Sequence, residues 1–336
     1  MIVKEQLVPL RMLAARALLD HIPRGATDSA PIEDEFARLQ AGWRGEQNLA
    51  YYLDTITDPA ARIFYDLRQT ALDHIFQIDT LILNDTFALI MEVKNYAGAL
   101  LFEPSGRQMI RTLGDRRSGF SNPLVQVARH RKMLTVWLAD HRLPLIPIES
   151  LVVFANPSTI IDNPGKLSEV IEKIIYAEQA ISKIDQLKTK YAKSPRIVKA
   201  VPYIEQLLLR EHTDPPLDLL KKYNVNPADL QRGVRCSNCH RFAMDRVYAN
   251  WVCRRCGHGS KTAHIQMILD YFLLCGSTMT NKQCRDWLGV EDRQLIRYLL
   301  KQMKLAPVGS GNGSGLYYER PPHKWIDQHY REHTTR

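Results

Sequence analysis

The sequence predicts a mixed α/β core, followed by a small metal-binding segment and a basic helical module. Two apolar runs, residues 75–83 and 87–94, flank turn residues and predict a β-hairpin between helical segments. Four of the six cysteines form two closely spaced pairs, which is a metal-binding pattern. Helical periodicity follows these pairs, from residue 262 to residue 304.

The remaining elements of the predicted core follow from the spacing of apolar residues and from the positions of Gly, Pro and helix-capping residues. Gly42 and Gly45 are expected to interrupt one long helix, and Asn122 and Pro123 are typical of a helix start. The other predicted elements are helices over residues 6–19, 33–53, 122–139 and 167–211, and strands over 62–66, 109–113 and 151–155.

The excess positive charge lies in the last third of the chain. The 336 residues carry a net charge of +9. Residues 231–336 hold 17 Lys+Arg and 8 Asp+Glu, whereas residues 1–230 hold 28 of each. Such a concentration indicates a region that contacts nucleic-acid phosphates. A solvated basic surface is the alternative.

The N-terminal segment lacks the features of a targeting peptide. Lys4, Glu5, Arg11 and Arg16 interrupt its apolar residues, and no stretch of 18 apolar residues occurs in the chain. We therefore expect no membrane contact and a cytoplasmic location, where paired cysteines bind metal rather than form disulfides.

The hairpin brings two carboxylates and a lysine together. If it closes at Asp85 and Thr86, residues whose numbers add up to 171 face each other, so Asp79 lies opposite Glu92. Lys94 shares the face of Glu92 because side chains repeat every two residues along a strand. Two carboxylates can hold Mg²⁺ or Mn²⁺ beside a lysine, as phosphodiester hydrolysis requires. A buried ion pair of Lys94 with either carboxylate is the alternative.

Four segments in order resemble the NERD (nuclease-related) domain of bacterial proteins, across about residues 40–160. They are Arg-Gly-Glu at 44–46, Phe-Gln-Ile-Asp-Thr at 76–80, Met-Glu-Val-Lys-Asn at 91–95 and Asn-Pro-Leu-Val-Gln at 122–126. That family is assigned to the PD-(D/E)xK nuclease superfamily. The resemblance implies a restriction-endonuclease-like fold, in which helices flank a mixed sheet. In place of the proline of the superfamily motif, Ile78 precedes Asp79.

The resemblance also implies roles for individual residues. The implied catalytic residues are Asp79 and Glu92 as ligands of Mg²⁺ or Mn²⁺, Lys94 as the catalytic lysine, Glu46 as an accessory acid and Gln126 as a polar active-site residue. His130 follows Gln126 by one helical turn and could touch substrate. A lone histidine on a basic helix is, however, expected to be a surface residue.

The cysteine pairs predict a structural zinc site. Cys236 and Cys239, then Cys253 and Cys256, form two Cys-x-x-Cys motifs separated by 13 residues. Each motif offers two thiolates, and four thiolates complete a tetrahedral Zn²⁺ site with no open position. The segment resembles a zinc ribbon.

Helices predicted over residues 262–274, 281–288 and 291–304, then a hairpin around the Gly/Ser-rich loop 309–315, resemble a winged helix. The third helix carries a basic stripe of Arg293, Arg297, Lys301 and Lys304. In a winged helix, this helix enters the major groove of DNA. A helical domain that contacts protein is the alternative.

These predictions suggest a metal-dependent nuclease that hydrolyses DNA, with its C-terminal part holding the nucleic acid. The alternative is an inactive nuclease-like protein that binds DNA, or docks a protein partner, in a DNA repair or defence assembly. The predicted segments are an N-terminal helical segment 1–36, a nuclease-like domain 37–160, a helical linker 161–232, a zinc ribbon 233–260, a winged-helix-like module 261–320 and a basic tail 321–336.

Overall fold

A computed structural model describes residues 1–23, 25, 28–105, 108–309 and 315–334. The helices are α1 (Leu10–His21), α2 (Ala30–Leu53), α3 (Pro123–Asp140), α4 (Ser168–Lys173), α5 (Ala180–Lys190), α6 (Val201–Arg210), α7 (Leu219–Lys222), α8 (Ala263–Leu274), α9 (Asn281–Leu288), α10 (Arg293–Gln302) and α11 (His323–Thr334). The strands are β1 (Ile2–Lys4), β2 (Arg62–Ala71), β3 (His74–Leu83), β4 (Ala88–Lys94), β5 (Ala99–Phe102), β6 (Gln108–Leu113), β7 (Arg116–Ser121), β8 (Ile148–Phe154), β9 (Ile160–Asp162), β10 (Ile174–Tyr176), β11 (Val234–Arg235), β12 (Phe242–Val247), β13 (Asn250–Cys253), β14 (Gly259–Ser260), β15 (Thr278–Thr280), β16 (Pro307–Val308) and β17 (Tyr317–Glu319). The predicted mixed α/β class is confirmed.

The described chain divides into two compact units. The first unit holds residues 1–6 and 40–214, and the second holds residues 7–39 and 215–336. Helix α2 has residues in both. Within the described residues, no helix is both long and apolar enough to cross a membrane.

The first unit is built on a six-stranded mixed sheet in the order β1-β2-β3-β4-β8-β10. Strands β2, β3 and β4 are antiparallel neighbours, whereas β1/β2, β4/β8 and β8/β10 pair in parallel. The predicted hairpin is confirmed with its register, because Thr80 pairs with Met91 and Leu83 pairs with Ala88. A second sheet has the order β7-β6-β5-β9.

The alternation of side chains along β4 explains where the charged residues point. Ala88 and Ile90 belong to the apolar layer that β2 and β3 form with helices α3 and α6. Leu89 and Met91 belong to the opposite layer, with α2 and α5. Side chains repeat every two residues, so the row of Ala88 and Ile90 continues into Glu92 and Lys94, toward α3.

The structure corrects one helix break, one strand end and one helical segment expected for the first unit. Helix α2 runs through Gly42 and Gly45 without interruption, because tertiary packing outweighs the low helix propensity of glycine. The strand expected over 62–66 continues to Ala71. The segment expected to be helical over 167–211 contains strand β10, which pairs with β8 and joins the sheet edge.

In its described residues, the second unit contains two small sheets and six whole helices. One sheet has the order β11-β12-β13-β14, and the other has the order β15-β17-β16. The predicted start of α9 is confirmed, and the Thr280 side chain caps it. Helix α10 begins at Arg293 and not at the predicted residue 291, because the Asp292 side chain caps it by accepting from the Gln294 and Leu295 amides. Gly289 ends α9 in the left-handed conformation, with φ of 68°. Residues 310–314 of the predicted Gly/Ser loop lie outside the described residues.

Candidate functional site

Glu92, Lys94 and Gln126 form one hydrogen-bonded network between β4 and α3. The Lys94 ammonium lies 2.6 Å from Glu92 Oε1. The Gln126 amide donates to the same oxygen over 2.7 Å, and its Oε1 accepts from Lys94 Nζ over 3.1 Å. Glu92 Oε1 therefore accepts two hydrogen bonds, which fills both of its lone pairs. The ion pair that we considered as an alternative is present within this network.

Asp79 lies at the same end of the hairpin. Its Oδ2 accepts from the backbone amide of Val93 over 2.8 Å, which holds the carboxylate beside Glu92. In β2, the residue across from Asp79 in the ladder register is Asp66. Asp66 has a left-handed backbone, with φ of 51°, and receives a hydrogen bond from Gln77. From the sequence alone, Asp66 has no predicted role.

Glu46 reaches this site because α2 approaches the end of β4 closely. A Cβ added to Gly45 would lie 2.7 Å from Asn95 Cβ, a contact too short for any other residue. Asn95 Nδ2 also donates to the Ala41 carbonyl over 2.7 Å. Gly45 and Asn95 thus hold α2 against the sheet, which carries Glu46 to the carboxylates. From the sequence alone, Gly45 is expected to interrupt the helix rather than to make this contact, and Asn95 has no predicted role.

His130 is buried, so the expectation of a surface residue is wrong. It is 2% exposed, and its Nδ1 lies 3.5 Å from Glu92 Oε2. Neither atom has a hydrogen-bond partner among the described residues. Burial, with the charges of Arg129 and Lys94, lowers the pKa of His130 despite the nearby Glu92.

The acidic groups of the site repel one another. Burial raises the pKa of Asp79 well above its ordinary range, and the charges of Glu92 and Glu46 raise it further. Burial raises the pKa of Glu46 to about 8, with added repulsion from Asp66 and Glu92. Burial alone would lower the pKa of Lys94, but Glu92 and Asp79 raise it above its usual value. Carboxylates so crowded around one lysine favour a further cation.

The carboxylate site fits a hard divalent cation. Glu92 Oε2 is buried without a hydrogen-bond partner among the described residues, and Asp79 lies beside it. The described carboxylates of the site do not place three ligand atoms within 4.8 Å of one another. The four predicted zinc cysteines meet that spacing. Mg²⁺ commonly takes one or two protein carboxylates and completes its shell with water and phosphate. Two carboxylates are therefore a sufficient protein contribution.

The four predicted zinc cysteines come together in the second unit. Their sulfur atoms all lie within 4.8 Å of one another. Cys236 and Cys256 Sγ are 3.7 Å apart, and Cys239 and Cys253 Sγ are 3.6 Å apart. A tetrahedron with Zn–S bonds of about 2.3 Å has edges of about 3.8 Å. The cluster could hold a structural metal such as zinc.

The two Cys-x-x-Cys turns have the same backbone geometry. The His240 amide donates to the Cys236 carbonyl, and the Gly257 amide donates to the Cys253 carbonyl, each over 2.9 Å. His240 and Gly257 are both left-handed, with φ of 56° and 72°. The matching turns bring both sulfur pairs together, as a four-thiolate site requires.

Arg293, Arg297 and Lys301 lie on α10, whereas this helix ends at Gln302 and not at the predicted residue 304, so Lys304 follows it. All four basic residues are exposed, while Ile296 and Leu300 of the helix are fully buried. Arg293 and Arg297 line a cleft with Lys282 and Arg285 of α9. We call this the basic cleft. Among its described lining residues there is no carboxylate. Lys301 and Lys304 lie outside it, so the structure divides the predicted stripe into two parts.

A comparison with known protein families gives a match within the first unit. The family model of the nuclease-related domain, NERD, matches residues 41–155. No curated protein and no solved structure matches the chain. The matched span contains Glu46, Asp79, Glu92, Lys94 and Gln126. The part of this protein that carries the carboxylate–lysine cluster is therefore similar to the nuclease-related domain.

Proposed function

We propose that this protein is a metal-dependent nuclease that hydrolyses DNA phosphodiester bonds. The observation that carries the proposal is the network in which Lys94, Gln126 and Glu92 adjoin Asp79 at one end of the hairpin. The match of residues 41–155 to the nuclease-related domain supports it. In this proposal residues 37–160 cut, and residues 233–320 hold the nucleic acid.

Each side chain has a distinct task in the proposed reaction. Asp79 and Glu92 would hold Mg²⁺ or Mn²⁺, which when bound supplies Lewis-acid polarisation of the scissile phosphate. Lys94 would donate to a phosphate oxygen and stabilise the charge that develops there. Gln126 holds Lys94 and Glu92 in fixed orientations by contacting both. Glu46 would act as an accessory acid at the edge of the cluster.

The second unit would bind the nucleic-acid backbone. Its order of α8, β15, α9, α10 and the β16/β17 pair resembles that of a winged helix, and α10 carries Arg293, Arg297 and Lys301 of the basic stripe. The basic cleft gathers four cationic side chains on one concave surface. The cysteine cluster with zinc would stabilise the neighbouring β-sheet of the same unit.

Cleavage of circular plasmid and single-stranded DNA with Mg²⁺ or Mn²⁺ tests the proposal. We expect the wild-type protein to cut, and Asp79→Ala and Lys94→Ala each to lose on the order of 10²–10³-fold in rate. Lys132→Ala is the matched control, because Lys132 is an exposed residue of the same unit.

Binding without cleavage would favour the alternative function. If the wild-type protein binds DNA but never cuts it, or if Asp79→Ala cuts as fast as wild type, the carboxylates are not the catalytic site. The nuclease-like unit would then belong to a DNA-binding or partner-docking protein. A protein partner whose capture requires residues 233–336 would support the docking form of that alternative.

A further inference from the structure

His130 is a buried polar side chain that the proposed reaction does not use. It lies on α3, one turn after Gln126, and 3.5 Å separates its Nδ1 from Glu92 Oε2. Both atoms are buried and lack a hydrogen-bond partner among the described residues. A buried polar atom without a hydrogen-bond partner destabilises the folded protein, and these two atoms are close enough to satisfy each other.

We propose that His130 is a positioning residue for Glu92. Its Nδ1–H donates to Glu92 Oε2 and fixes the direction in which this oxygen meets a cation. The inference rests on the proposed function, because it assigns Glu92 as a ligand of Mg²⁺ or Mn²⁺. It extends that function by naming the group that orients the ligand.

The distribution of hydrogen bonds over the two oxygens supports this role. Glu92 Oε1 already accepts from Lys94 and from Gln126, so Oε2 is the oxygen that can still bind a cation. An oxygen has two lone pairs. If His130 occupies one, a single lone pair of this oxygen remains for a cation. Hydrogen bonds to ligating carboxylates commonly set metal affinity in this way.

The imidazole tautomer provides the first test, in the wild-type protein. Only a histidine with its proton on Nδ1 can donate to Glu92 Oε2. We expect ¹⁵N NMR of histidine-labelled full-length protein to show a protonated, hydrogen-bonded Nδ1 for His130, with and without Mg²⁺. The His130→Asn spectrum identifies its signal. A proton on Nε2 alone would overturn the proposal, whether or not the protein is a nuclease.

Metal affinity provides the second test. We expect His130→Leu to weaken Mn²⁺ binding, followed by electron paramagnetic resonance, by about 10–100-fold. His130→Asn keeps an amide donor near the position of Nδ1 and should restore most of the affinity. Equal weakening in both variants, or none in either, would contradict a positioning role. Thermal unfolding of both variants separates a loss of folding from a loss of binding.

The electron paramagnetic resonance spectra of bound Mn²⁺ distinguish a positioning role of His130 from direct ligation of the metal. If His130 were a direct ligand, Mn²⁺ in the wild-type protein would show ¹⁴N coupling that disappears in His130→Asn, and that outcome would overturn the positioning role. If wild-type protein binds no Mn²⁺ that depends on Asp79, the proposed function itself fails. The tautomer measurement then still decides whether the contact between His130 and Glu92 exists.

Discussion

Gly45 shows how a single side-chain atom limits the approach of α2 to the sheet. A Cβ at this position would stand 2.7 Å from Asn95 Cβ, whereas a Cβ at Gly42 meets nothing within 4 Å. We expect Gly45→Ala to lower the free energy of unfolding by about 1–3 kcal/mol, because the helix must shift. Gly42→Ala in the same helix should instead stabilise the protein by up to about 1 kcal/mol.

Urea unfolding of the two glycine variants measures this contrast. A shift of α2 also moves Glu46, so Gly45→Ala should lose nuclease activity beyond its loss of stability, while Gly42→Ala should keep it. Equal effects of the two substitutions on stability would show that the contact with Asn95 does not limit the helix.

At the residue scale, the two-residue repeat of side chains along a strand was enough to predict which charged residues lie close together. The register that places Asp79 near Glu92 follows from the apolar runs and the turn between them. The burial of His130 could not be predicted in this way, because basic neighbours such as Arg129 make α3 look solvent-exposed. Which face of α3 meets the sheet is decided by nonlocal packing.

The four-cysteine cluster allows a prediction at the scale of a structural element. We expect Cys253→Ser to abolish zinc binding and to unfold sheet β11–β14, since metal binding and folding are coupled in such segments. Trp251 of β13 is 1% exposed, so its fluorescence should shift to the red. Cys275→Ser is the control, because Cys275 lies outside the cluster. One zinc per chain retained in Cys253→Ser would contradict a four-thiolate site.

The two parts of the basic stripe, inside and outside the basic cleft, should differ in their effect on DNA binding. Arg297 lines the basic cleft, and Lys304 does not. We expect Arg297→Ala to weaken DNA binding more than Lys304→Ala, and to reduce the salt slope by about one phosphate contact. Fluorescence anisotropy over a range of salt concentrations measures both quantities. Equal affinities and slopes would indicate that the cleft does not contact the backbone.

At the element scale, local patterns predicted the hairpin and helices α3, α8, α9 and α10 well. Capping residues such as Asn122 and Thr280 carried much of that information. Strand β10 escaped prediction because only Ile174, Ile175 and Tyr176 form it, within a charged segment of helical appearance. Its partner β8 lies more than 20 residues earlier, and such parallel pairing leaves no local signal.

The stability of the second unit should depend on pH. Burial lowers the pKa of His264 to about 4, with added repulsion from Arg246. Burial likewise lowers the pKa of His329 to about 4, with added repulsion from His333. Each of these histidines takes up a proton near pH 6.5 in the unfolded chain, but only near pH 4 in the folded protein. The contribution of these two histidines to the free energy of unfolding is therefore fully present above pH 6.5 and declines as the pH falls toward 4.

Thermal unfolding between pH 7 and pH 4, with zinc content measured in parallel, tests this dependence. His329→Gln removes one titrating group, so its decline should be shallower than that of the wild-type protein. Identical slopes for the two proteins would assign the acid sensitivity to the thiolates or to other groups.

The path of the chain between the two units has a practical consequence for expressing fragments. Strand β1 belongs to the first unit and pairs with β2 through Ile2 and Lys4, yet residues 7–39 belong to the second unit. A recombinant fragment that begins at residue 37 would leave one edge of the sheet unpaired, and one that stops at residue 160 would remove β10 from the other. Unprotected edges pair with edges of other molecules. Such a fragment should aggregate, and a fragment that keeps both sheet edges needs residues 1–6 as well as residues 40–214.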